Sequence, residues 1–311
     1  MKNKNANKRD FLAAPVAGGK GAGLAYSGAV VLFIALQLIV SVVLAANGWT
    51  DSAALAKKDW YLYLSFLVSP VAFGLVALWY LKKKKTRLPS LLRSQNCSWK
   101  YYLIAILLQI GLFSLSQCNT WFIELLKKAG YQAPDVVLPS TEGFGLLGVL
   151  VAVAFLPAVT EEILFRGVLL KGLKGFSTAG AVLLCGGLFS LYHMNPAQTV
   201  YQFCCGVAFA LLALRAGSVL PTMLAHFLNN TLIVLLYKFG VNEFSTPVLI
   251  TVLAVSVSCL ILSLGYLIFF DRKKKSGIDG EEGAFERKSF LLFAAVGIVA
   301  CTLLWVAALW G

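Results

Sequence analysis

The chain has 311 residues, of which 59% are hydrophobic and 13% are charged, and its mean hydropathy is +0.79. This composition excludes a soluble globular protein, because apolar runs long enough to cross about 30 Å of hydrocarbon recur along the whole sequence. The formal net charge of +13 does not indicate nucleic-acid binding, since the lysines and arginines cluster at the ends of apolar runs, where they set membrane topology.

Apolar segments bounded by charge predict an all-α, polytopic transmembrane helical bundle of about eight or nine spans. Nine candidate spans are residues 24–47, 60–81, 101–118, 144–170, 178–195, 198–215, 218–238, 246–270 and 289–310. We divide the chain into a basic N-terminal segment (1–23), N-terminal spans and loops (24–141), a central helical core (142–238) and C-terminal spans (239–311). The stretch WFIELLKKAG, residues 121–130, has apolar and charged faces at helical spacing, so it either lies along the membrane surface or extends the third span.

The basic clusters predict an orientation with the N-terminus in the cytoplasm, because alternating spans then place most of them on one side of the membrane. Those clusters are Lys82 to Lys85, Lys171 with Lys174, Arg215, and Arg272 to Lys275. The first apolar run is too long for a signal-peptide core and is interpreted as a span, although small residues at 45 and 46 leave cleavage open. Short lysine-rich loops favour a prokaryotic plasma membrane. The seven cysteines are interpreted as small hydrophobic residues.

Two adjacent acids interrupt the apolar run VAVAFLPAVTEEILFRGVLLKG, residues 151–172. Ionisable groups within a span cost at least about 2.5 kcal/mol each, so they usually face the interior of the bundle. Glu162 and Arg166 are four residues apart and are predicted to pair on one helix face. Glu161 points about 100° away and lacks this local partner. It either marks the end of a span or has a chemical role, and the apolar residues that follow favour the second interpretation.

The chain has two histidines, and both lie in apolar helical segments. His193 follows Phe189 by one turn in FSLYHMNP, and His226 precedes Asn230 by one turn in AHFLNNTL. Either histidine alone is more often a hydrogen-bonded core residue than a catalyst. Two histidines, an amide and an unpaired carboxylate on three apolar segments are difficult to explain by packing, and they predict a shared polar site.

Such a set can activate water in two ways. In the first, a carboxylate in an apolar setting acts as general base with a neighbouring imidazole, while histidine and asparagine donors bind the developing oxyanion, which describes acyl hydrolysis. In the second, Glu161, His193 and His226 bind Zn²⁺ with water as the fourth ligand. The HExxH string of zinc proteases is absent from the sequence, and an amide one turn from His226 suits an oxyanion contact. We therefore favour no cofactor, with zinc as the alternative.

The strings EEILFR, FSLYH and HFLNN resemble, in order and type, the EExxxR, FxxxH and HxxxN motifs of the CAAX protease and bacteriocin-processing family. This is the Abi group of intramembrane proteases related to type II CAAX prenyl endopeptidases. The resemblance covers about 90 residues within the central core 142–238. It implies water activation by Glu161 and His193, an oxyanion site at His226 and Asn230, and support from Glu162 and Arg166. It also implies a helical chamber that admits a membrane-associated or lipidated peptide, or a bacteriocin precursor.

Two functions of other classes remain open from the sequence. A non-catalytic relative could bind a partner, such as a sensor kinase or an immunity target, without cutting it, although the complete motifs weigh against this. A transporter could use the same carboxylates and histidines to carry protons. The absence of a repeated pair of broken helices in the sequence makes that function the less favoured one.

Overall fold

The computed structural model of the chain describes residues 18–93, 97–241, 244–271 and 280–310. Every regular element in these ranges is helical, which confirms the predicted all-α class. The α-helices are α1 (Gly19–Ala46), α2 (Ser52–Leu55), α3 (Asp59–Lys83), α4 (Leu88–Leu92), α5 (Lys100–Leu112), α6 (Ser116–Lys128), α7 (Gly145–Val149), α8 (Leu156–Glu162), α9 (Leu170–Gly172), α10 (Thr178–Tyr192), α11 (Thr199–Ala216), α12 (Leu220–Lys238), α13 (Thr246–Gly265) and α14 (Gly280–Ala307). Most of the predicted basic segment 1–23 and the predicted basic cluster 272–275 lie outside the described residues.

Eight helical stretches of the described residues are long and apolar enough to cross a membrane, so the chain is an integral membrane protein. They are Gly19–Ala46, Asp59–Lys83, Lys100–Lys128, Gly145–Gly172, Pro196–Ala216, Leu220–Lys238, Thr246–Phe270 and Gly280–Ala307. The predicted bundle of about eight or nine spans is thereby confirmed. The third of these stretches runs on to Lys128 through a 3₁₀ turn, so residues 121–128 extend the third span.

The fifth predicted span, 178–195, is shorter in the structure than the sequence indicated. Helix α10 has 15 residues, about 22 Å at 1.5 Å per residue, which is less than a span usually needs. It ends at Tyr192 because Asn195 precedes a proline, and a residue in that position disfavours the α conformation. Met194 adopts a left-handed φ of 49°, and the Asn195 side chain accepts from the backbone N–H of Ala197. His193 therefore lies at the C-terminal end of α10.

The helix that carries the two acids continues from Gly145 to Gly172 and contains two π-helical segments, Leu150–Phe155 and Ile163–Leu169. Glu161 and Glu162 end α8, directly between these segments, and both are buried. The helix therefore does not end at Glu161. Turns of the π type are rare and are frequently found at functional sites.

One basic residue used to orient the chain is not at the surface. Lys171 is fully buried, and its ammonium group donates to the backbone carbonyl of Leu91 in α4. Leu91 also packs over Gly167, where an added Cβ would lie 3.3 Å from its side chain. The loop between α3 and α5 therefore folds back over the end of the acid-bearing helix and covers this lysine.

Helices α10 and α11 cross with their backbones in close contact. An alanine Cβ at Gly206 would lie 2.7 Å from the Cα of Gly186 and 2.9 Å from its carbonyl oxygen. Such crossings depend on small residues, because helices in lipid associate mainly through close packing. Glycine at both positions therefore allows α10 to lie against α11, and this contact fixes the position of His193 relative to the rest of the bundle.

We expect Gly206→Ala to destabilise the protein by about 1–3 kcal/mol, because the new methyl group must push two backbones apart. Gly187→Ala is the matched control, since Gly187 lies on α10 with nothing within 4 Å of an added Cβ. Thermal unfolding of both variants in one detergent measures the difference. Equal unfolding temperatures for the two variants would contradict the proposed role of the close crossing.

Candidate active site

Glu162 and Arg166 form the buried ion pair that their four-residue spacing predicts. Arg166 Nη1 donates to Glu162 Oε1 at 2.6 Å, and both side chains are fully buried. Arg166 Nη2 also donates to the backbone carbonyl of Gly206 at 2.9 Å. The same guanidinium lies 4.6 Å from the ring centroid of Phe189 and 5.4 Å from that of Phe209. Arg166 thus connects the acid-bearing helix to α10 and α11 through charge, hydrogen-bond and cation–π contacts.

His226 of α12 lies between the two acids. Its Nδ1 is 3.0 Å from Glu162 Oε1, and its Nε2 is 3.9 Å from Glu161 Oε2. When Glu162 is ionised it can only accept, so the ring carries its hydrogen on Nδ1, and Nε2 of the neutral imidazole is an acceptor. Glu161 is buried, and Oε2 has no hydrogen-bond partner within the described part of the chain. Glu162 Oε2 also lacks a donor there, but Glu162 Oε1 is bonded to Arg166 and His226. The unbonded Oε2 of Glu161 is therefore the oxygen best placed to accept a proton.

His193 is held in a fixed orientation at the end of α10. Its Nδ1 is 2.8 Å from the carbonyl oxygen of Phe189, and because a carbonyl only accepts, Nδ1 must carry the hydrogen. The opposite nitrogen, Nε2, is then an unprotonated acceptor in the neutral ring. The Phe189 ring contacts both histidines, with centroid distances of 4.9 Å to His193 and 5.8 Å to His226. Phe189 therefore brings the two imidazoles to one side of the acid-bearing helix.

Asn230 is anchored to the acid-bearing helix by its own side chain. Its amide nitrogen donates to the carbonyl of Val153 at 3.1 Å, and its amide oxygen accepts from Asn229 Nδ2 at 3.1 Å. An asparagine amide has two N–H groups, so one N–H remains for a further acceptor. The carbonyl of Val153 belongs to the π-helical segment Leu150–Phe155, and Asn230 therefore ties α12 to the helix that carries Glu161.

These residues fall within the part of the chain that a known protein family describes. Residues 143–232 match the family model "Type II CAAX prenyl endopeptidase Rce1-like". The match covers 90 of the 311 residues, and it makes this central segment similar to the Rce1-like family. No curated protein and no solved structure matches the chain. The resemblance drawn from the three motifs is confirmed, and the Rce1-like segment contains Glu161, His193 and His226.

Two polar residues that the sequence analysis did not select complete the hydrogen-bond network behind Asn230. Gln109 Nε2 and the Tyr201 hydroxyl donate to Asn229 Oδ1, at 2.9 Å and 2.8 Å. Gln109 lies on α5, outside the Rce1-like segment, and it is buried. Its presence as a single amide in the apolar run YYLIAILLQIGLF was a usable signal, because polar side chains within spans usually face partners in the bundle. A flanking helix therefore helps to orient the asparagines of the family motif.

A third asparagine supports the loop that follows His193. Asn119 of α6 donates to the carbonyl of Ala197 at 2.8 Å and accepts from the backbone N–H of Tyr201 at 3.0 Å. It thereby fixes the 3₁₀ turn Pro196–Gln198 and the first turn of α11. The sequence offered no reason to connect Asn119 with His193, because the two residues lie on helices far apart in the chain.

The alternative to a cofactor-free site is Zn²⁺ held by Glu161, His193 and His226. Within the described ranges, no three His, Cys, Asp or Glu side chains are grouped as metal ligands. His226 directs Nδ1 to Glu162, and His193 directs Nδ1 to a backbone carbonyl, so the Nε2 atoms are the ones left to coordinate, as in many histidine metal ligands. These Nδ1 contacts fit either scheme, and because the three side chains are not grouped as ligands we derive no step through a metal.

Proposed function

We propose that this protein is an intramembrane endopeptidase that hydrolyses a peptide bond of a membrane-associated or prenylated, lipophilic peptide. Similarity to the Rce1-like family supports an endopeptidase in general. The observation that carries the proposal is the position of Glu161, which is buried, 3.9 Å from His226 Nε2, and has no hydrogen-bond donor to Oε2 among the residues that the structure describes. A carboxylate in such a position can take a proton from water as that water attacks a carbonyl carbon.

In the proposed reaction, Glu161 is the general base and His193 assists it. Water attacks the carbonyl carbon, its proton passes to Glu161, and the tetrahedral intermediate forms with a negative oxygen. Collapse breaks the C–N bond, and the proton held by Glu161 passes to the leaving amine. His193 can hydrogen-bond the attacking water through Nε2, because its Nδ1 hydrogen is committed to the Phe189 carbonyl. No other reactant than water is needed.

The charges of the buried cluster support a proton shared between Glu161 and His226. Two carboxylates and one guanidinium lie together, so full ionisation with neutral imidazoles leaves one unbalanced negative charge in a poorly hydrated site. Arg166 pairs with Glu162 at 2.6 Å, which leaves Glu161 and His226 to share the proton that restores neutrality. In this proposal Glu162 and Arg166 do not react; they hold His226 in place, and the shared proton lies on His226 when Glu161 takes the proton of water.

His226 and Asn230 are proposed to bind the oxyanion. Asn230 has one N–H beyond its bond to Val153. His226 can donate from Nε2 only in its doubly protonated form, since Glu162 accepts from Nδ1. That form becomes favourable when a negative oxygen develops nearby, so the proton shared with Glu161 can serve the intermediate at the moment it is needed.

We further propose a prokaryotic plasma membrane as the location, with the N-terminus in the cytoplasm. The support is the lysine cluster at 82–85, which lies on the same side of the membrane as the N-terminus once the first two spans have crossed. The proposed partners are a peptide or lipidated peptide as substrate and membrane lipid as solvent, with no nucleic acid.

The test uses the full-length protein in lipid vesicles with two fluorogenic peptides of one sequence, one prenylated on cysteine and one not. We expect cleavage of the prenylated peptide and a loss of about 10²–10⁴-fold in rate for His193→Ala, the size of a general acid–base contribution. Asn47→Ala, at the exposed end of α1, is the control for handling. Folded protein that cleaves neither peptide would favour the alternative, a non-catalytic membrane scaffold or immunity protein that regulates a partner such as a sensor kinase.

The same assay addresses the cofactor. We propose hydrolysis without a metal, so the rate should be unchanged after prolonged incubation with a chelator and removal of the chelator by gel filtration. A rate that falls on chelation and returns with added Zn²⁺ would replace this scheme by one in which Glu161, His193 and His226 rearrange around zinc.

A further inference from the structure

A cavity of about 200 Å³ lies outside the candidate active site, between the N-terminal ends of α1 and α14 and the C-terminal end of α3. Three lysines line it, Lys20 from α1 and Lys83 and Lys84 from α3. Here a partly open space and three ammonium groups from two parts of the chain coincide, so the cavity has the volume and the charge to hold a small anion.

The positive charge of this cavity is not neutralised by the described residues. Lys20, Lys83 and Lys84 form no ion pair among them. Two of these ammonium groups instead lie over aromatic rings, with Lys83 4.8 Å from the Trp79 centroid and Lys20 4.9 Å from that of Phe293.

Glu286 is the carboxylate among the residues that line this cavity, and its oxygens already have partners. One oxygen lies 3.2 Å from Lys174 Nζ, and the other accepts from the backbone N–H of Gly19. It therefore satisfies the first turn of α1 and an external lysine, not the three ammonium groups. The side chains of Lys20, Lys83 and Lys84 are exposed and are therefore available to bind an external anion.

We propose that this cavity binds the phosphate of an anionic phospholipid headgroup. A lipid fits better than free phosphate because the cavity lies at the ends of three membrane-length helices, and its wall also includes Leu24 and the exposed ring of Phe285. Basic pockets between membrane helices are a recurrent way of binding anionic headgroups. The lysines bind the phosphate, and the apolar wall accommodates the start of the acyl chains.

The cavity is mechanically connected to the acid-bearing helix. Lys174, the partner of Glu286, follows α9 by two residues, and Arg287 Nη1 donates to the carbonyl of Gly175 at 2.6 Å. Gly172 lies against Ala22 of α1, where an added Cβ would overlap the alanine methyl group. A lipid that holds α1, α3 and α14 together should therefore also stabilise the end of the helix that carries Glu161, and raise the unfolding temperature of the whole protein.

The experiment measures lipid binding and unfolding, so its result does not depend on the proposed protease activity. Full-length protein in a neutral detergent is titrated with short-chain phosphatidylglycerol or phosphatidylcholine, and bound lipid is counted by native mass spectrometry alongside thermal unfolding. The site variant is Lys20→Gln/Lys83→Gln/Lys84→Gln. The matched control is Lys57→Gln/Lys58→Gln/Lys128→Gln, which removes the same charge from exposed positions outside the cavity.

We expect phosphatidylglycerol to bind the wild-type and control proteins and to raise their unfolding temperatures, and to bind the site variant about tenfold or more weakly. If phosphatidylglycerol binds both triple variants equally weakly, the loss of binding follows from the lower net charge of the protein, and the proposal is overturned. Inorganic phosphate is added in a separate arm. If it displaces the lipid at equal concentration, or stabilises the protein as much as the lipid does, the cavity is an ion site and the lipid assignment is wrong.

Discussion

Glu161→Gln is expected to reduce peptide hydrolysis by about 10²–10⁴-fold while the protein stays folded, because glutamine keeps the shape of the side chain but cannot hold the proton of the attacking water. Glutamine also removes the unbalanced negative charge of the buried cluster, so the unfolding temperature should not fall. The measurement is the initial rate on the prenylated fluorogenic peptide, with thermal unfolding of the same preparation.

Glu124→Gln is the matched control for this variant. Glu124 has the same chemistry but is more than half exposed and pairs only with Lys127 on the surface of α6, so its loss should leave the rate unchanged. A Glu161→Gln protein that stays within about tenfold of the wild-type rate would remove Glu161 from proton transfer. The next candidate base would then be His193, whose Nε2 is the free acceptor of an anchored ring.

Arg166→Met is expected to destabilise the protein by about 3–5 kcal/mol, the usual cost of leaving one member of a buried ion pair without its partner. Methionine fills most of the volume but removes the guanidinium that pairs with the carboxylate of Glu162 and the donor to the Gly206 carbonyl. Chemical unfolding in mixed micelles gives the magnitude. Arg87→Met, an exposed arginine at the start of α4, should be close to neutral.

The double variant Glu162→Gln/Arg166→Met decides whether the ion pair is the cause. Removing both charges removes the uncompensated carboxylate, so the double variant should recover a large part of the stability that the single variant loses. If the double variant is as unstable as Arg166→Met, then the packing of the guanidinium on Phe189 and its bond to Gly206 carry the stability, and Glu162 is of secondary importance.

Contacts within one helical turn could be derived from the sequence. The pairing of Glu162 with Arg166 and the contact of Phe189 with His193 follow from the four-residue spacing alone. The number of spans was close to correct for the same reason, since hydropathy is a local property. The end of α10 was placed too late, although the Asn195-Pro196 pair carried the signal.

Contacts between helices could not be derived in this way. The hydrogen bond from Arg166 to the Gly206 carbonyl depends on which face of α11 is turned toward the acid-bearing helix. The sequence of α11 does not predict that face, because it is apolar on all sides and has little periodicity. The sequence indicates an exposed loop lysine at Lys171, whereas in the structure Lys171 donates to the Leu91 carbonyl. The two π-helical segments also leave no trace in hydropathy, because one additional residue in an apolar run changes neither its length class nor its composition.

The π-helical segments on either side of Glu161 have a consequence for how this span can evolve. Each accommodates one residue more than α geometry does, which turns everything beyond it by about 100°. The parts of the helix before Leu150 and after Leu169 can therefore present different faces to the lipid while Glu161 and Glu162 keep their orientation. The rotation of this helix about its axis, and not its hydrophobicity, decides which way Glu161 and Glu162 face. Deleting one residue from either π-helical segment would keep the span hydrophobic but turn the two acids away from His226.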